Sequence, residues 1–439
     1  MTYRDTISQK CIQCKLCRKE CKFLRRYGDP KSIADSFDPT VKKHRVRPFE
    51  CSLCGLCAEV CPAGIDPARM FLEMRQAIYR LGRGDYPEHS TIIGYEKRGA
   101  SRRYSYYALP RGCDTVLFPG CTLPGTRPDR VLNLFEHLKQ TVPSLGIVLD
   151  CCTKPSHDLG RLGHFHPMFD EMEGFLSGNG VRHVLVACPN CYRVFKQHSA
   201  VLSVRTVYEL LAEEGFPKAA KIGGAVTVHD PCAVRGEDSI HTAVRELIAQ
   251  TGLTIEEMDH HGKRTVCCGE GGSVGFLAPE LAGNWRAIRT GEARGKRIVS
   301  YCAGCVNFLG AVAPATHILD LLFEPEAAVA GKVKVSRAPF TYWNRIRLKA
   351  TFAAKVDAPV RRERVFTPET RDCKKNPLAR LLLLGAVLAA IPAVRTLGAG
   401  QYLGQDKLRG LIGGAVLVVC VMLILFFYRK RNSGRKLDE

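Results

Sequence analysis

Between residues 113 and 325 short apolar, β-branched runs alternate with segments whose apolar residues recur every three or four positions. DTVLFPGC, HVLVACPNC, AVTVHDPC and KRIVSYCAGC read as strands, and VLNLFEHL and AVRELIAQ as helices. Strand and helix in alternation predict an α/β fold, and the same order of elements comes round twice, at 113–222 and at 223–325. Residues 1–80 lack this alternation and hold eight cysteines in two tight groups; the tyrosine- and arginine-rich stretch 81–112 reads as a connection. Near the C-terminus the apolar pattern becomes continuous. Gly410 to Tyr428 gives 19 uncharged residues, close to the roughly 20 that cross a bilayer, and Leu381 to Val394 gives 14, including Pro392. The shorter run spans only if Arg380 and Arg395 snorkel to the interfaces. Together they predict a transmembrane helical hairpin within 378–428. Basic residues on both flanks, in a 326–377 linker and a 429–439 tail, would hold both outer ends on the cytoplasmic side.

Charge and cysteine content narrow the chemistry. The formal net charge of +21 suggests nucleic acid, but its distribution argues against that partner: from Gly331 to Pro377 there are 13 Lys/Arg against 4 Asp/Glu, immediately before the apolar segments. YWNRIRLKATF at 342–352, with Tyr342 and Trp343 among spaced cations, reads as an interfacial segment or a solvated linker. Twenty-one cysteines imply either a disulfide scaffold or metal binding. MTYRDTISQK runs into the first cysteine with no apolar h-region, which predicts a chain on the reducing side, its thiols available to metals.

Residues 11–21 read C-I-Q-C-K-L-C-R-K-E-C, and residues 51–61 read C-S-L-C-G-L-C-A-E-V-C followed by Pro62. Both are C-x2-C-x2-C-x3-C, the spacing of two-cluster bacterial ferredoxins, whose fourth cysteine ligates the other cluster. The prediction is two cubane [4Fe–4S] clusters, one on Cys11, Cys14, Cys17 and Cys61, the other on Cys51, Cys54, Cys57 and Cys21. Lys22 stands where this pattern usually has proline. Ten further cysteines form a looser repeat: Cys121, Cys151, Cys152, Cys188 and Cys191, then Cys232, Cys267, Cys268, Cys302 and Cys305. Five thiolates per copy exceed what one tetrahedral zinc or one ordinary cubane requires, which points to an unusual cluster. Cys113, Cys373 and Cys420 have no partner at ligand spacing. Of the histidines near these motifs, His157, His164, His166, His229, His260 and His261, the one inside HDPC, His229, is the best candidate for more than a structural role. GEGG at 269–272 lacks the Lys-Ser/Thr of a phosphate loop and no GxGxxG follows a strand, so no flavin or NAD is expected on this chain.

FPGC at 118–121, CPNC at 188–191, HDPC at 229–232, CCGEGG at 267–272 and CAGC at 302–305 resemble the cysteine-rich CCG-domain family of iron–sulfur oxidoreductases. That family includes heterodisulfide reductases and the iron–sulfur subunits of glycolate, lactate and glycerol-3-phosphate dehydrogenases. The resemblance, over about residues 5–325, implies a helical dicluster ferredoxin-like domain and two tandem α/β CCG domains, which the apolar runs would follow with the transmembrane helices. It also implies one or two further, non-cubane [4Fe–4S] clusters on the ten repeated cysteines, acting on a disulfide or related sulfur substrate. The departure is Thr153, which follows the first CC where glycine is expected. The competing expectations are an electron-relay subunit of a flavin-dependent dehydrogenase feeding quinone, and a non-catalytic anchor with zinc in the CCG motifs. The expected partners are the inner membrane and flavoprotein, cytochrome or quinone-reactive subunits.

Overall fold

Ten strands lie among the described residues, 2–216 and 221–368 of a computed structural model. They are β1 (Tyr106–Leu109), β2 (Thr115–Phe118), β3 (Gly146–Leu149), β4 (His183–Val186), β5 (Ser203–Thr206), β6 (Ala225–His229), β7 (Thr254–Ile255), β8 (Arg297–Ser300), β9 (Ala315–His317) and β10 (Val360–Arg362). One sheet runs β10-β1-β3-β2-β4-β5 and the other β7-β6-β8-β9. The parallel quartet β3-β2-β4-β5 has its counterpart in β7-β6-β8-β9, so the repeat read from the cysteines is also a repeat of strand order. Val116, Leu117, Val184, Val226, Val228 and Val299 are buried, as strands covered on both faces require. Only the first sheet carries the antiparallel extension of β1 and β10.

The N-terminal region is helical. Short helices carry the first cysteine run, and Pro67–Arg80 closes the domain, started by the Asp66 carboxylate accepting from the backbone N–H groups of Ala68 and Arg69 with Pro67 in the first turn. Ile7, Phe23, Leu24, Ile33, Phe71 and Met74 form its core, and the same cluster includes Val274, Leu281 and Ala282 of the second sheet's half. Residues 1–370 form one body.

The fold class is corrected at the C-terminal end. Among the described residues no helix is long and apolar enough to cross a membrane, and the segments 381–394 and 410–428 lie outside them. What is described is a mixed α/β body with a helical N-terminal region. The segment expected to be a basic linker instead forms a helix, Phe340–Lys355, and strand β10. Leu348 and Phe352 of that helix join the core of the first half. Two cations of this segment are used internally: the buried Arg345 donates to the Gly99 carbonyl at 3.2 Å, and the buried Arg364 reaches Asp150 at 3.2 Å and Glu171 at 2.9 Å. Arg362 lies over the rings of Phe175 and Tyr107 at 3.6 and 4.3 Å. A run of arginines that looked like a membrane flank is there to clamp the first sheet.

Candidate metal centres

The two ferredoxin-type loops share one backbone. Gln13 and Lys15 flank Cys14 with φ of 52° and 65°, and Leu53 and Gly55 flank Cys54 with φ of 53° and 75°. Left-handed residues on each side of the middle cysteine turn successive backbone N–H groups inward, a concavity suited to thiolates and anionic clusters. The Leu53 N–H donates to Cys51 Sγ at 3.4 Å. The fourth cysteines cross over: Cys61 lines the pocket of Cys11, Cys14 and Cys17, and Cys21 lines that of Cys51, Cys54 and Cys57, with Cys57 lining both. Burial pushes the Cys17 thiol up to about 11 and the Cys51 thiol up to about 12. Neighbouring sulfurs add to the rise, Cys11, Cys14 and Cys61 for Cys17, and Cys54 for Cys51. Crowded buried thiols that resist ionising against one another are a donor set that a metal cation relieves, so these residues fit iron–sulfur clusters.

In each α/β half the cysteines gather at the C-terminal ends of the parallel strands, where such sheets form their sites. Cys121 follows β2 and Cys151–Cys152 follow β3; Cys188 caps the helix Pro189–His198 after β4, with Cys191 in its first turn. In the second half Cys232 follows β6, and Cys302 caps the helix Ala303–Leu309 after β8, with Cys305 in its first turn. Gly120 explains its place in FPGC: at φ +80° an added Cβ would stand 3.1 Å from Cys188 Cβ and 3.3 Å from Cys191 Sγ. The turn after the first CC survives without glycine, because Thr153 itself takes φ 55°, as Gly269 takes φ 102° after the second.

Within each set the thiols interact in sequence. Cys121 is held down to about 7, first by the Cys151 thiol beside it, and Cys191 is raised by Cys152 and Cys188. Cys268 is held down to about 6 by Cys267 and then Cys305, while Cys232 is raised by Cys267. The two sets also meet, because Cys188 of the first half interacts with Cys302 of the second. Cys54 of the ferredoxin-like domain lies close enough to Cys232 and Cys267 for their charges to act on one another. A line of thiols thus leads from the second ferredoxin loop through one α/β half into the other. Cys113 is buried apart from these sets and donates to the Thr115 carbonyl at 3.3 Å. Cys373 and Cys420 lie outside the described residues.

Several positioning residues carry no sequence signal. Arg75, wholly buried, donates to the carbonyls of Pro48, Cys51, Asp158 and Gly272 at 3.0, 2.6, 2.7 and 2.9 Å, joining all three parts of the body. Gly272 has to be glycine there, since at φ +62° a Cβ would meet the Cys51 carbonyl at 2.6 Å. Arg235 donates to the Cys54 carbonyl from Nε and Nη2 at 3.2 and 3.1 Å. The Tyr208 hydroxyl, donor to the carbonyls of Ala187 at 2.7 Å and Tyr301 at 3.1 Å, ties together the residues immediately before Cys188 and Cys302. Tyr95, from the connecting stretch, donates to the Cys121 carbonyl at 3.1 Å. Most of the histidines singled out in the sequence have ordinary partners: His157 pairs with Asp158, His164 with Glu96, His260 with Glu292 and His261 with the Met258 carbonyl. His229 differs, being fully buried with neither ring nitrogen hydrogen-bonded.

Comparison with known proteins agrees with this geometry. The model of the 4Fe–4S dicluster domain matches residues 10–66, and that of the cysteine-rich domain matches residues 226–310, the second α/β half. The chain is 25% identical to one subunit of the fumarate reductase (CoM/CoB) of Methanothermobacter marburgensis, over 76% of this chain and 71% of that protein. It is 26% identical to one subunit of the dihydromethanophenazine:CoB–CoM heterodisulfide reductase of Methanosarcina barkeri, over 56% of this chain and 66% of that one. With the EtfAB:quinone oxidoreductase of Syntrophomonas wolfei it shares 23% identity over 53% of this chain and 37% of that one. The chain therefore spans about two thirds or less of the length of the last two. It is an iron–sulfur electron-transfer protein in which a 4Fe–4S dicluster domain precedes a cysteine-rich CCG domain, similar to subunits of heterodisulfide reductases and of a fumarate reductase.

Proposed function

We propose that this chain is the iron–sulfur subunit of a heterodisulfide-reductase-like oxidoreductase, reducing a disulfide or related sulfur substrate at its cysteine-rich halves. The observation that carries the reading is the continuous line of thiols from Cys54 through Cys232, Cys267, Cys268, Cys305 and Cys302 to Cys188. Iron–sulfur clusters, when bound, supply one-electron transfer. Cys11, Cys14, Cys17 and Cys61 would hold one cubane, and Cys51, Cys54, Cys57 and Cys21 the other. The two sets of five, Cys121, Cys151, Cys152, Cys188 and Cys191 with Cys232, Cys267, Cys268, Cys302 and Cys305, would hold the non-cubane centres. Arg235 and Arg75 fix the second loop against the cysteine-rich halves, and Tyr208 fixes the approach of Cys188 to Cys302. A disulfide takes up two electrons and two protons to give two thiols. Partner subunits, a flavoprotein or a cytochrome- or quinone-reactive protein at the cytoplasmic face of the inner membrane, would supply the electrons.

A second reading, electron relay for a flavin-dependent dehydrogenase, is favoured by the similarity to the EtfAB:quinone oxidoreductase. Metal content and turnover separate the two. Four four-iron clusters give about 16 irons per chain, and two cubanes alone about 8. The expected result is near 16, with disulfide-dependent oxidation of a reduced dye that Cys268→Ala abolishes. About 8 irons with stoichiometric zinc, or undiminished turnover in Cys268→Ala, would sink the disulfide reading.

A further inference from the structure

The two cysteine-rich halves match in strand order and in the order of their cysteines, so their differences stand out. Three residues before its first cysteine, the first half has Phe118 and the second has His229. Phe118 ends β2 in an apolar setting, edge-on to Phe195 at 5.4 Å. His229 ends β6 with 0% exposure, and neither Nδ1 nor Nε2 has a hydrogen-bond partner. A buried polar group left without a partner forfeits its hydration with nothing in return, so an orphaned imidazole calls for a partner. Its position supplies a candidate: a ring nitrogen of His229, Cys268 Sγ and Cys305 Sγ all lie within 4.8 Å of one another. That is the donor arrangement of a mixed nitrogen–sulfur metal site, and imidazole and thiolate are both ligands that iron accepts.

We propose that the metal centre of the second half takes a ring nitrogen of His229 as a ligand beside Cys268 and Cys305, which makes the two halves' centres chemically unlike. The inference rests on the reading that this half binds iron. The nitrogen takes the place of one of that half's five thiolates, and a neutral nitrogen in place of an anionic thiolate leaves the centre less negative and easier to reduce, as when histidines replace cysteines on one iron of a two-iron centre. The half next to Cys54 then becomes the first stop for electrons leaving the ferredoxin-like domain, and the all-thiolate first half lies beyond it.

The test uses the full chain, purified anaerobically with its clusters and grown with either natural or 15N-labelled histidine. Pulsed electron paramagnetic resonance is recorded on the signal that Cys268→Ala removes, with the centre poised in its paramagnetic state. The expected result is a strong nitrogen coupling that changes with the isotope and disappears in His229→Gln, while that variant keeps its dicluster signals. Because the isotope comparison is made on the unmutated protein, it stands even if His229→Gln folds poorly. Iron in the second half without an isotope-sensitive coupling overturns the inference alone. Mössbauer spectra showing no iron in that half overturn both the inference and the function on which it rests.

Discussion

A guanidinium buried without a carboxylate in contact is held only by what its N–H groups reach, and Arg75 reaches four carbonyls from three parts of the chain. Burial drives its pKa down to about 10, still high enough to stay charged at neutral pH. Arg75→Met leaves those carbonyls without a donor, so a loss of about 3 kcal/mol or more is expected in denaturant unfolding of the iron-loaded protein. Arg75→Lys is expected to recover little of it, because one ammonium cannot reproduce the fork. His89 acts through pH. It is 1% exposed, ringed by Phe49, Tyr86 and Phe276, and desolvation lowers its pKa from 6.5 to about 4. The unfolded chain therefore binds the proton first: this contribution is intact above pH 6.5 and is lost as pH falls toward 4, by about 3 kcal/mol in all. The fall in unfolding midpoint between pH 7 and 5 is expected to be smaller in His89→Leu than in the unmutated protein; an equal fall would mean that His89 does not drive it. At Thr153 a β-branched residue occupies the left-handed region with its buried hydroxyl unpaired. Thr153→Gly is expected to stabilise by about 1 kcal/mol, the relief of strain exceeding the entropy that glycine adds to the unfolded chain.

Elements show what sequence can and cannot say. The strands and the helices begun by C-x-x-C were legible because each is specified locally: a β-branched run, then a cysteine pair at a helix start. The helix Phe340–Lys355 and β10 were not, since Arg345 in the helix and Arg364 just past the strand find their partners at Gly99, Asp150 and Glu171, far away along the chain. Nothing local distinguishes an arginine that will be buried from one that flanks a membrane. The consequence falls on the first cysteine set, because Asp150 immediately precedes Cys151 and Arg364 is its ion-pair partner. Arg364→Ala is expected to leave Asp150 buried and uncompensated, destabilise the protein by about 3–5 kcal/mol, and lower the iron held by the first half while the dicluster signals persist. Iron analysis beside the dicluster spectra would show it, and full retention of iron would detach Arg364 from that site.

At the scale of the molecule, the cysteine spacing marked out four groups of thiols, because ligand chemistry forces tight spacing. The sequence was silent on how those groups lie relative to one another, since that depends on contacts between distant residues. The decisive contact is Arg235, carried just past Cys232, whose guanidinium holds the Cys54 carbonyl while also donating to the Lys263 carbonyl at 2.5 Å. It fixes the distance between the second ferredoxin loop and the second cysteine set, yet contributes no sulfur to either. Arg235→Met should keep the aliphatic packing of the stem and lose the three hydrogen bonds. If those bonds set the spacing, iron content should stay near the unmutated value, while reduction of the second half's centre by the pre-reduced dicluster slows by an order of magnitude or more. Stopped-flow measurement with dithionite-reduced protein and an added disulfide reads that step directly. A rate unchanged in Arg235→Met would show that the core shared by Phe71, Val274 and Leu281 is enough to hold the two parts in register.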